Sequence, residues 1–190
     1  MPINLNKGQK ISLSKEAPNL KVALVGLGWD VKQYDSGADY DLDASIFLLD
    51  ASGKCAHDTD FVFYNNLSAG GVTHSGDNRT GEGEGDDEAI TIEFDKVPAY
   101  VERIAITVTI YEAGSRGQNF GQVSNAYVRL VDTQSGAELL RYDLGEDYST
   151  ETAIVFAEIY RHNGEWKFSA VGSGFAGGLE ALCKKYGLDV

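Results

Sequence analysis

The sequence predicts an all-β protein, a two-sheet β-sandwich that carries acidic loops and ends in a short helix. Most apolar segments are short, rich in Val, Ile, Phe and Tyr, and bounded by Gly, Asn or Asp, which is typical of strands and turns. Turn signals recur along the chain, and this favours a sandwich. No alternation of strands with helices supports a parallel, doubly wound sheet.

Ten segments have the composition of strands. The predicted strands are Ile11–Leu13, Lys21–Gly28, Leu42–Leu49, Phe61–Tyr64, Ala89–Phe94, Arg103–Tyr111, Val123–Asp132, Glu138–Asp143, Ile154–Tyr160 and Trp166–Val171. Between the last two lies Asn163-Gly164, which suits a type I′ turn because both of its residues adopt positive φ. We therefore expect a hairpin there. Only Gly178–Tyr186 has apolar residues at helical spacing, and it predicts the C-terminal helix.

Length and composition suit one domain, residues 1–190. The chain has 190 residues, of which 43% are hydrophobic, enough for one well-filled core. Its formal net charge is -13, with 29 acidic and 16 basic residues. Because phosphate affinity comes from Lys and Arg, this balance argues against nucleic-acid binding and favours a cation as partner.

The N-terminal segment lacks the apolar stretch of a secretory signal, and no apolar run approaches the ~20 residues that a membrane helix needs. We therefore expect a cytoplasmic protein without direct membrane insertion. Cys55 and Cys183 lack CxxC spacing, and we expect both to be reduced thiols.

Two stretches concentrate carboxylates. Residues 76–88 read GDNRTGEGEGDDE, and residues 35–43 read DSGADYDLD. If the second stretch ends inside a strand, the period of two separates Asp41 and Asp43 from Leu42 and Ala44. Carboxylates this close repel one another unless a cation lies between them.

Oxygen ligands without paired His or Cys favour a hard cation, and Ca²⁺ accepts about 6–8 oxygens in irregular geometry. Mg²⁺ fits less well because it demands near-octahedral coordination. Residues 76–88 fail as an EF-hand, since Arg79, Gly81 and Glu82 occupy positions 3, 5 and 6 of that loop. From the residues alone, a calcium loop of another kind and a solvated acidic surface both stay open.

Five motifs extend this interpretation: VGLGWD at 25–30, DLDAS at 41–45, FVFYNN at 61–66, the acidic loop at 76–88 and FGQVSNA at 120–126. In this order they resemble the TerD family of tellurium-resistance and calcium-binding stress proteins, over nearly the whole chain. The resemblance implies a β-sandwich with acidic calcium-binding loops, encoded in bacterial stress and tellurite-resistance operons, with no established enzymatic activity.

Carried onto this sequence, the resemblance implies calcium bound by the acidic motifs, and we expect two ions. The expected ligands are the carboxylates of Asp41, Asp43, Asp77, Asp86, Asp87 and Glu88, the amides of Asn65 and Asn78, and the Gly83 carbonyl. Asp30 and Glu112 are further candidates at the ends of predicted strands. Glu82 and Glu84 should point outward.

Two glycine pairs fail as nucleotide-binding motifs. Neither Gly26-Leu27-Gly28 nor Gly81-Glu82-Gly83 continues into GxGxxG, and no HExxH or GxSxG occurs, so we expect no catalytic residues and no organic cofactor. The histidines His57, His74 and His162 are scattered, and we expect each in a loop or on the surface.

Aromatic residues are expected to contribute to packing. Trp29 and Trp166 lie in or beside predicted strands and suit the core. Phe61, Phe63 and Tyr64 alternate only partly and suit a buried strand.

The sequence therefore predicts a non-enzymatic, calcium-binding stress-response protein associated with tellurite resistance. It would act as a calcium-stabilised scaffold or sensor in assemblies with other stress-response or tellurite-resistance proteins. Two alternatives remain open. One is a metal-dependent hydrolase that uses the clustered carboxylates, although no base or nucleophile accompanies them. The other is a calcium-dependent adhesion or carbohydrate-binding module, a class that is usually secreted.

Overall fold

Two β-sheets enclose one apolar core in this computed structural model, which describes residues 1–31, 41–75, 85–145 and 150–189. The strands are β1 (Ile3–Leu5), β2 (Lys10–Ser12), β3 (Val22–Val31), β4 (Leu42–Leu49), β5 (Phe61–Val62), β6 (Ser68–Ala69), β7 (Val72–His74), β8 (Glu88–Glu93), β9 (Arg103–Ile110), β10 (Val123–Asp132), β11 (Glu138–Asp143), β12 (Ala153–His162) and β13 (Glu165–Phe175). The helices are α1 (Leu13–Glu16), α2 (Ala113–Arg116) and α3 (Gly178–Lys185). Single 3₁₀ turns lie at Asp58–Asp60, Phe94–Lys96 and Phe120–Gln122.

The first sheet has the strand order β1-β11-β10-β3-β8-β7-β6, and the second has the order β2-β13-β12-β9-β4-β5. Within the described ranges, neighbouring strands pair antiparallel except β1, which runs parallel to β11. The all-β, two-sheet architecture with a short C-terminal helix is the predicted one.

In strand β4, alternate side chains lie on the two opposite faces of the second sheet. Leu42, Ala44 and Ile46 belong to the core between the sheets, whereas Phe47 belongs to a second apolar cluster on the outer face of the second sheet. The period of two puts Asp43 on this outer face as well. The predicted separation of Asp43 from its apolar neighbours is confirmed.

Helix α3 covers the outer face of the second sheet. Its Leu182 and Cys183 are buried against Phe47 of β4 and Val155 of β12, and Tyr186 follows the helix into the same cluster. The predicted helix is therefore an amphipathic cover for one sheet face.

Several predicted boundaries hold, and others move for local reasons. The predicted bounds of β4, β10 and β11 are those observed. The strand predicted to reach Tyr64 ends at Val62, because the Phe63 and Asn66 backbones bond to each other in a turn. The strand predicted to end at Leu13 ends at Ser12, whose side chain caps α1.

The predicted hairpin is present. Asn163 and Gly164 have φ of 51° and 76°, and they join His162 to Glu165 at the end of the β12–β13 ladder. Strands β1, β6 and β7 were not predicted, because two or three residues carry no usable periodicity.

The remaining packing expectations have mixed outcomes. Trp29 is 4% exposed in the core, and Trp166 packs partly against it, as predicted. Phe61 is buried, but Phe63 and Tyr64 are only partly so, since they lie beyond the end of β5. None of the helices described is both long and apolar enough to cross a membrane.

Candidate functional site

Three consecutive acidic residues at the start of β8 take three different directions. Asp86 lies over the outer face of the first sheet, Asp87 lies along β3, and Glu88 points between the sheets. Because β8 begins only at Glu88, Asp86 and Asp87 precede the strand and are not bound by its alternation, so one acidic run serves three environments. These environments define the candidate site at this end of the sandwich.

Asp86 is held by an arginine and a tyrosine of β10. The Arg129 guanidinium donates to both carboxylate oxygens at 2.7–3.1 Å, and the Tyr127 hydroxyl donates to Oδ1 at 2.9 Å. Arg129 also contacts Glu138 of β11, and the Arg141 guanidinium stacks on the Tyr127 ring at 3.9 Å. This network of charge-assisted bonds fixes the end of the acidic loop on the sheet.

Two glycines of β3 make room for this network. A Cβ on Gly26 would meet the Asp86 carboxylate at 2.3–2.6 Å, and one on Gly28 would meet the Tyr127 ring at 2.4–2.5 Å. Distances this short exclude any larger residue unless the neighbour moves. The glycines of the VGLGWD motif therefore allow Asp86 and Tyr127 to lie flat on the strand.

Asp87 lies beside the end of β3. Its Oδ2 accepts the Trp29 backbone N–H at 2.8 Å, and its own N–H donates to the Leu27 carbonyl at 2.8 Å. Partial burial raises the pKa of Asp87, and the negative charges of Asp30 and Asp86 raise it further. Asp30 accepts a 2.8 Å bond from the Asn125 side chain of β10.

Glu88 links the two sheets. Its Oε2 accepts the Ala44 backbone N–H of β4 at 2.6 Å, while His74 Nε2 lies 3.1 Å from the Ala44 carbonyl. The Glu88 and His74 side chains are 3.4 Å apart, with 0% and 1% exposure. Strand β5 pairs with β4 only at Ile46 and Phe47. Where β5 does not reach, the Glu88 and His74 side chains contact the backbone N–H and carbonyl of Ala44 on that edge of β4.

The acidic end of β4 completes the described part of the site. Asp43 is buried at 4% exposure and pairs with Thr109 of β9, and the Asp41 carbonyl accepts the Tyr111 N–H at 2.8 Å. Since Ala44 contacts Glu88, the candidate carboxylates of β4 and β8 approach the same end of the sandwich.

The other predicted ligands lie elsewhere or outside the described residues. Asn65 is exposed in the turn after β5. Glu112 is exposed with φ of 50° and lies 3.5 Å from Arg116. Asp77, Asn78 and Gly83, together with Glu82 and Glu84, lie outside the residues that the structure describes, so their roles stay predictions.

The donor set at this end is oxygen-rich, as a hard cation requires. Across residues 1–31, 41–75, 85–145 and 150–189, no three His, Cys, Asp or Glu side chains are grouped closely enough to hold a metal ion. The described carboxylates are oxygen donors of the kind that Ca²⁺ takes, but by themselves they do not form a metal site.

His74 corrects one sequence expectation. It was predicted in a loop or on the surface, yet it is buried at 4% exposure. Val72, Thr73 and His74 alternate as buried, exposed and buried in β7, but three residues are too few for a sequence pattern to indicate this. The expectation holds for His57 and His162, which are exposed.

Arg129 and Tyr127 were not singled out from the sequence. The signal that indicates them is the pair of glycines two residues apart in β3, because glycine inside a strand marks a close approach by another group. The identity of the approaching residues depends on the pairing of β3 with β10.

The two cysteines are free thiols, as predicted. Burial raises the pKa of Cys55 to about 12, and the nearby Asp60 charge adds to the effect. Burial also raises the pKa of Cys183. Neither has the electropositive surroundings of a reactive cysteine.

A two-sheet sandwich with carboxylates gathered at one end is the class of protein that the fold and site define. The TerD domain model matches residues 1–186 of the chain. The chain belongs to the TerD domain family.

Individual relatives agree with this assignment. The chain is 57% identical to general stress protein 16U of Bacillus subtilis (strain 168), over the full length of both chains. It is 58% identical to the tellurium resistance protein TerD of Serratia marcescens, covering 100% of this chain and 99% of the relative. The crystal structure of a TerD homologue from Streptomyces coelicolor A3(2) matches with a TM-score of 0.67 and 26% identity, covering 87% of this chain and 95% of that one. The family is one of tellurium-resistance and general stress proteins.

Proposed function

We propose that this protein binds Ca²⁺ between its two acidic loops and acts in the cytoplasm as a calcium-stabilised scaffold or sensor of the stress response. The observation that carries the proposal is the hydrogen bond from the N–H of Ala44, the residue next to Asp43, to the Glu88 carboxylate. This contact joins the acidic ends of two strands that belong to different sheets. Both acidic loops begin or end at these strands.

Charge supports the same proposal. The raised pKa of Asp87 reflects burial and the negative charges of Asp30 and Asp86. A divalent cation near these carboxylates would offset that repulsion and favour their ionised forms. The free energy gained on binding would stabilise the folded protein.

The proposed ligands come from both loops. They are Asp41, Asp43, Asp87 and Glu88, completed by Asp77, Asn78 and Gly83, with Asp30 as a further candidate. Asp86 is assigned to anchoring instead, because Arg129 and Tyr127 already engage its two oxygens. Two ions are proposed, as expected from two acidic stretches.

The proposed setting follows from relatives named for general stress and for tellurium resistance. Neither name describes a catalytic activity. We therefore propose a non-enzymatic role, in which calcium fixes the shape of one end of the sandwich for other stress-response or tellurite-resistance proteins to recognise.

Calcium binding can be tested by melting the chelator-treated protein while Ca²⁺ is added up to millimolar concentration. At a hundredfold excess over the dissociation constant, binding should stabilise the fold by about 2.7 kcal/mol and raise Tm by roughly 5–10 °C. Mg²⁺ at the same concentration controls for screening and should raise Tm less. An unchanged Tm with millimolar Ca²⁺ would contradict the proposal.

A matched pair of variants locates the effect. Asp43→Asn keeps the size of the side chain but removes a charge at the proposed site, so the calcium-induced rise should shrink. Asp95→Asn removes the same charge from an exposed position in a 3₁₀ turn and should leave the rise intact. Equal responses of the two variants would place calcium elsewhere.

A further inference from the structure

A groove lies on the outer face of the second sheet, between the edge strand β5 and helix α3. It encloses about 490 Å³, a volume in the range of binding pockets. Its apolar lining residues are Phe61, Phe63, Leu179, Cys183 and Leu188, and the exposed residues Asp58, Glu180 and Asp189 border it. None of them belongs to the proposed calcium ligands.

Stacked aromatic rings form one wall of the groove. The Phe61 ring stacks on Phe47 with centroids 4.5 Å apart and on Phe63 at 4.2 Å. Phe47 is fully buried, and its ring centroid lies 4.7 Å from that of Tyr186. The aromatic wall therefore packs against the second apolar cluster, which α3 covers. A wall supported in this way offers a rigid apolar surface.

The groove extends toward the calcium end of the molecule. A neighbouring cavity of about 430 Å³ shares Leu179 and is lined by Tyr64, Tyr111 and the proposed calcium ligand Asp43. The aromatic row continues through these rings, with Tyr64 5.2 Å from Phe63 and 6.5 Å from Tyr111. Tyr111 is 40% exposed. The apolar surface is therefore long enough for more than one side chain of a ligand.

The rim of the groove is acidic. Asp58, Glu180 and Asp189 are exposed and border the apolar wall. Glu180 is paired with Lys184 at 2.5 Å, which leaves the Asp58 and Asp189 carboxylates as the main charges facing a ligand. In a chain of net charge -13, this rim attracts cations and repels acidic or nucleic-acid ligands.

We propose that this groove docks a short segment of a partner protein in which apolar side chains are flanked by Lys or Arg. The apolar side chains pack against Phe61, Phe63 and Leu179, and the basic side chains pair with Asp58 and Asp189. The area between an aromatic row and a helix suits side chains of an extended or helical peptide. The groove at Phe61, Phe63 and Leu179 contains none of the proposed calcium ligands, so this inference can hold whether or not calcium binds.

The test is a selection of random 12-residue peptides displayed on phage, with the full chain as target, followed by fluorescence anisotropy of the enriched peptides. Enriched peptides should combine Leu, Phe or other apolar residues with Lys or Arg. Enrichment of acidic or uncharged peptides, or no enrichment, would overturn the proposal. Repeating the measurement with chelator separates this result from the calcium proposal.

Variants then locate the bound peptide. Leu179→Arg should abolish binding by placing a basic side chain in the groove, while Leu67→Arg, at a site 45% exposed outside it, should not. Asp58→Lys combined with Asp189→Lys should weaken binding by about two- to thirtyfold and flatten its salt dependence. All variants must melt like the parent. Binding that survives both groove variants, or self-association of the chain through this face in sedimentation, would contradict a partner segment as the occupant.

Discussion

At the scale of single residues, Asp86, Asp87 and Glu88 are consecutive and carry the same charge, but each has a different set of contacts. Arg129 holds the first, the Trp29 N–H bonds the second, and Glu88 is buried against Ala44 of the other sheet. The first arrangement depends on a residue with no side chain, because Gly26 leaves the space that the Asp86 carboxylate fills.

Gly26→Ala should therefore destabilise the protein by about 1–3 kcal/mol, because the added methyl group forces Asp86 away from Arg129 and leaves a partly buried ion pair broken. Urea denaturation measures this change. Gly114→Ala is the matched control, since a Cβ there meets nothing within 4 Å, and it should be neutral or slightly stabilising.

A double variant identifies the cause. In an Asp86→Ala background the clash is gone, so Gly26→Ala should cost little more. If Gly26→Ala lowers the free energy of unfolding by the same amount in the Asp86→Ala background, then Gly26 is needed for a reason other than room for Asp86.

At the scale of elements, the edge of β4 joins the two sheets. Strand β5 pairs with β4 at only two positions, and beyond it the Ala44 backbone bonds to His74 of β7 and Glu88 of β8. Two strands of the first sheet therefore complete the hydrogen bonding of the second sheet. This contact lies next to Asp43, so the geometry of the proposed calcium site depends on it.

His74→Leu tests this link. The substitution removes the polar group beside the Ala44 carbonyl and the neighbour of the buried Glu88 carboxylate, and should cost about 1–3 kcal/mol of unfolding free energy. His162→Leu, at an exposed site next to the β12–β13 turn, should change it by less than about 0.5 kcal/mol. If both variants unfold at the same urea concentration, the interpretation of His74 is wrong.

At the scale of the whole molecule, burial of the apolar core stabilises the folded state, whereas the large net negative charge destabilises it. The core cluster includes residues from both sheets, while the formal net charge of -13 makes the surface repel itself. Calcium would act locally on this repulsion, whereas monovalent salt screens it everywhere.

Raising NaCl from low to near-molar concentration should therefore raise the Tm of the chelator-treated protein, by roughly 2–4 °C for each 1 kcal/mol of repulsion screened. Calorimetry at fixed pH measures the shift. KCl should act like NaCl, because screening depends on ionic strength. A falling Tm would show that attractive ion pairs, such as Arg129 with Asp86, outweigh the net repulsion.

The sequence by itself determined the all-β sandwich, the Asn163-Gly164 hairpin, the bounds of β4 and the separation of Asp43 from Leu42 and Ala44. These features follow from the period of two and from local turn chemistry, which act between neighbours in the chain. The family was also readable from motifs in order along the sequence.

Only the tertiary structure decided where the acidic residues point and what they contact. Asp86 and Arg129 are 43 residues apart, and Ala44 and Glu88 are 44 apart. Such contacts are set by which strands become neighbours and in what register, and a local pattern does not encode the partner. For the same reason His74 could be expected at the surface, although the pairing of β7 with β8 buries it beside Glu88.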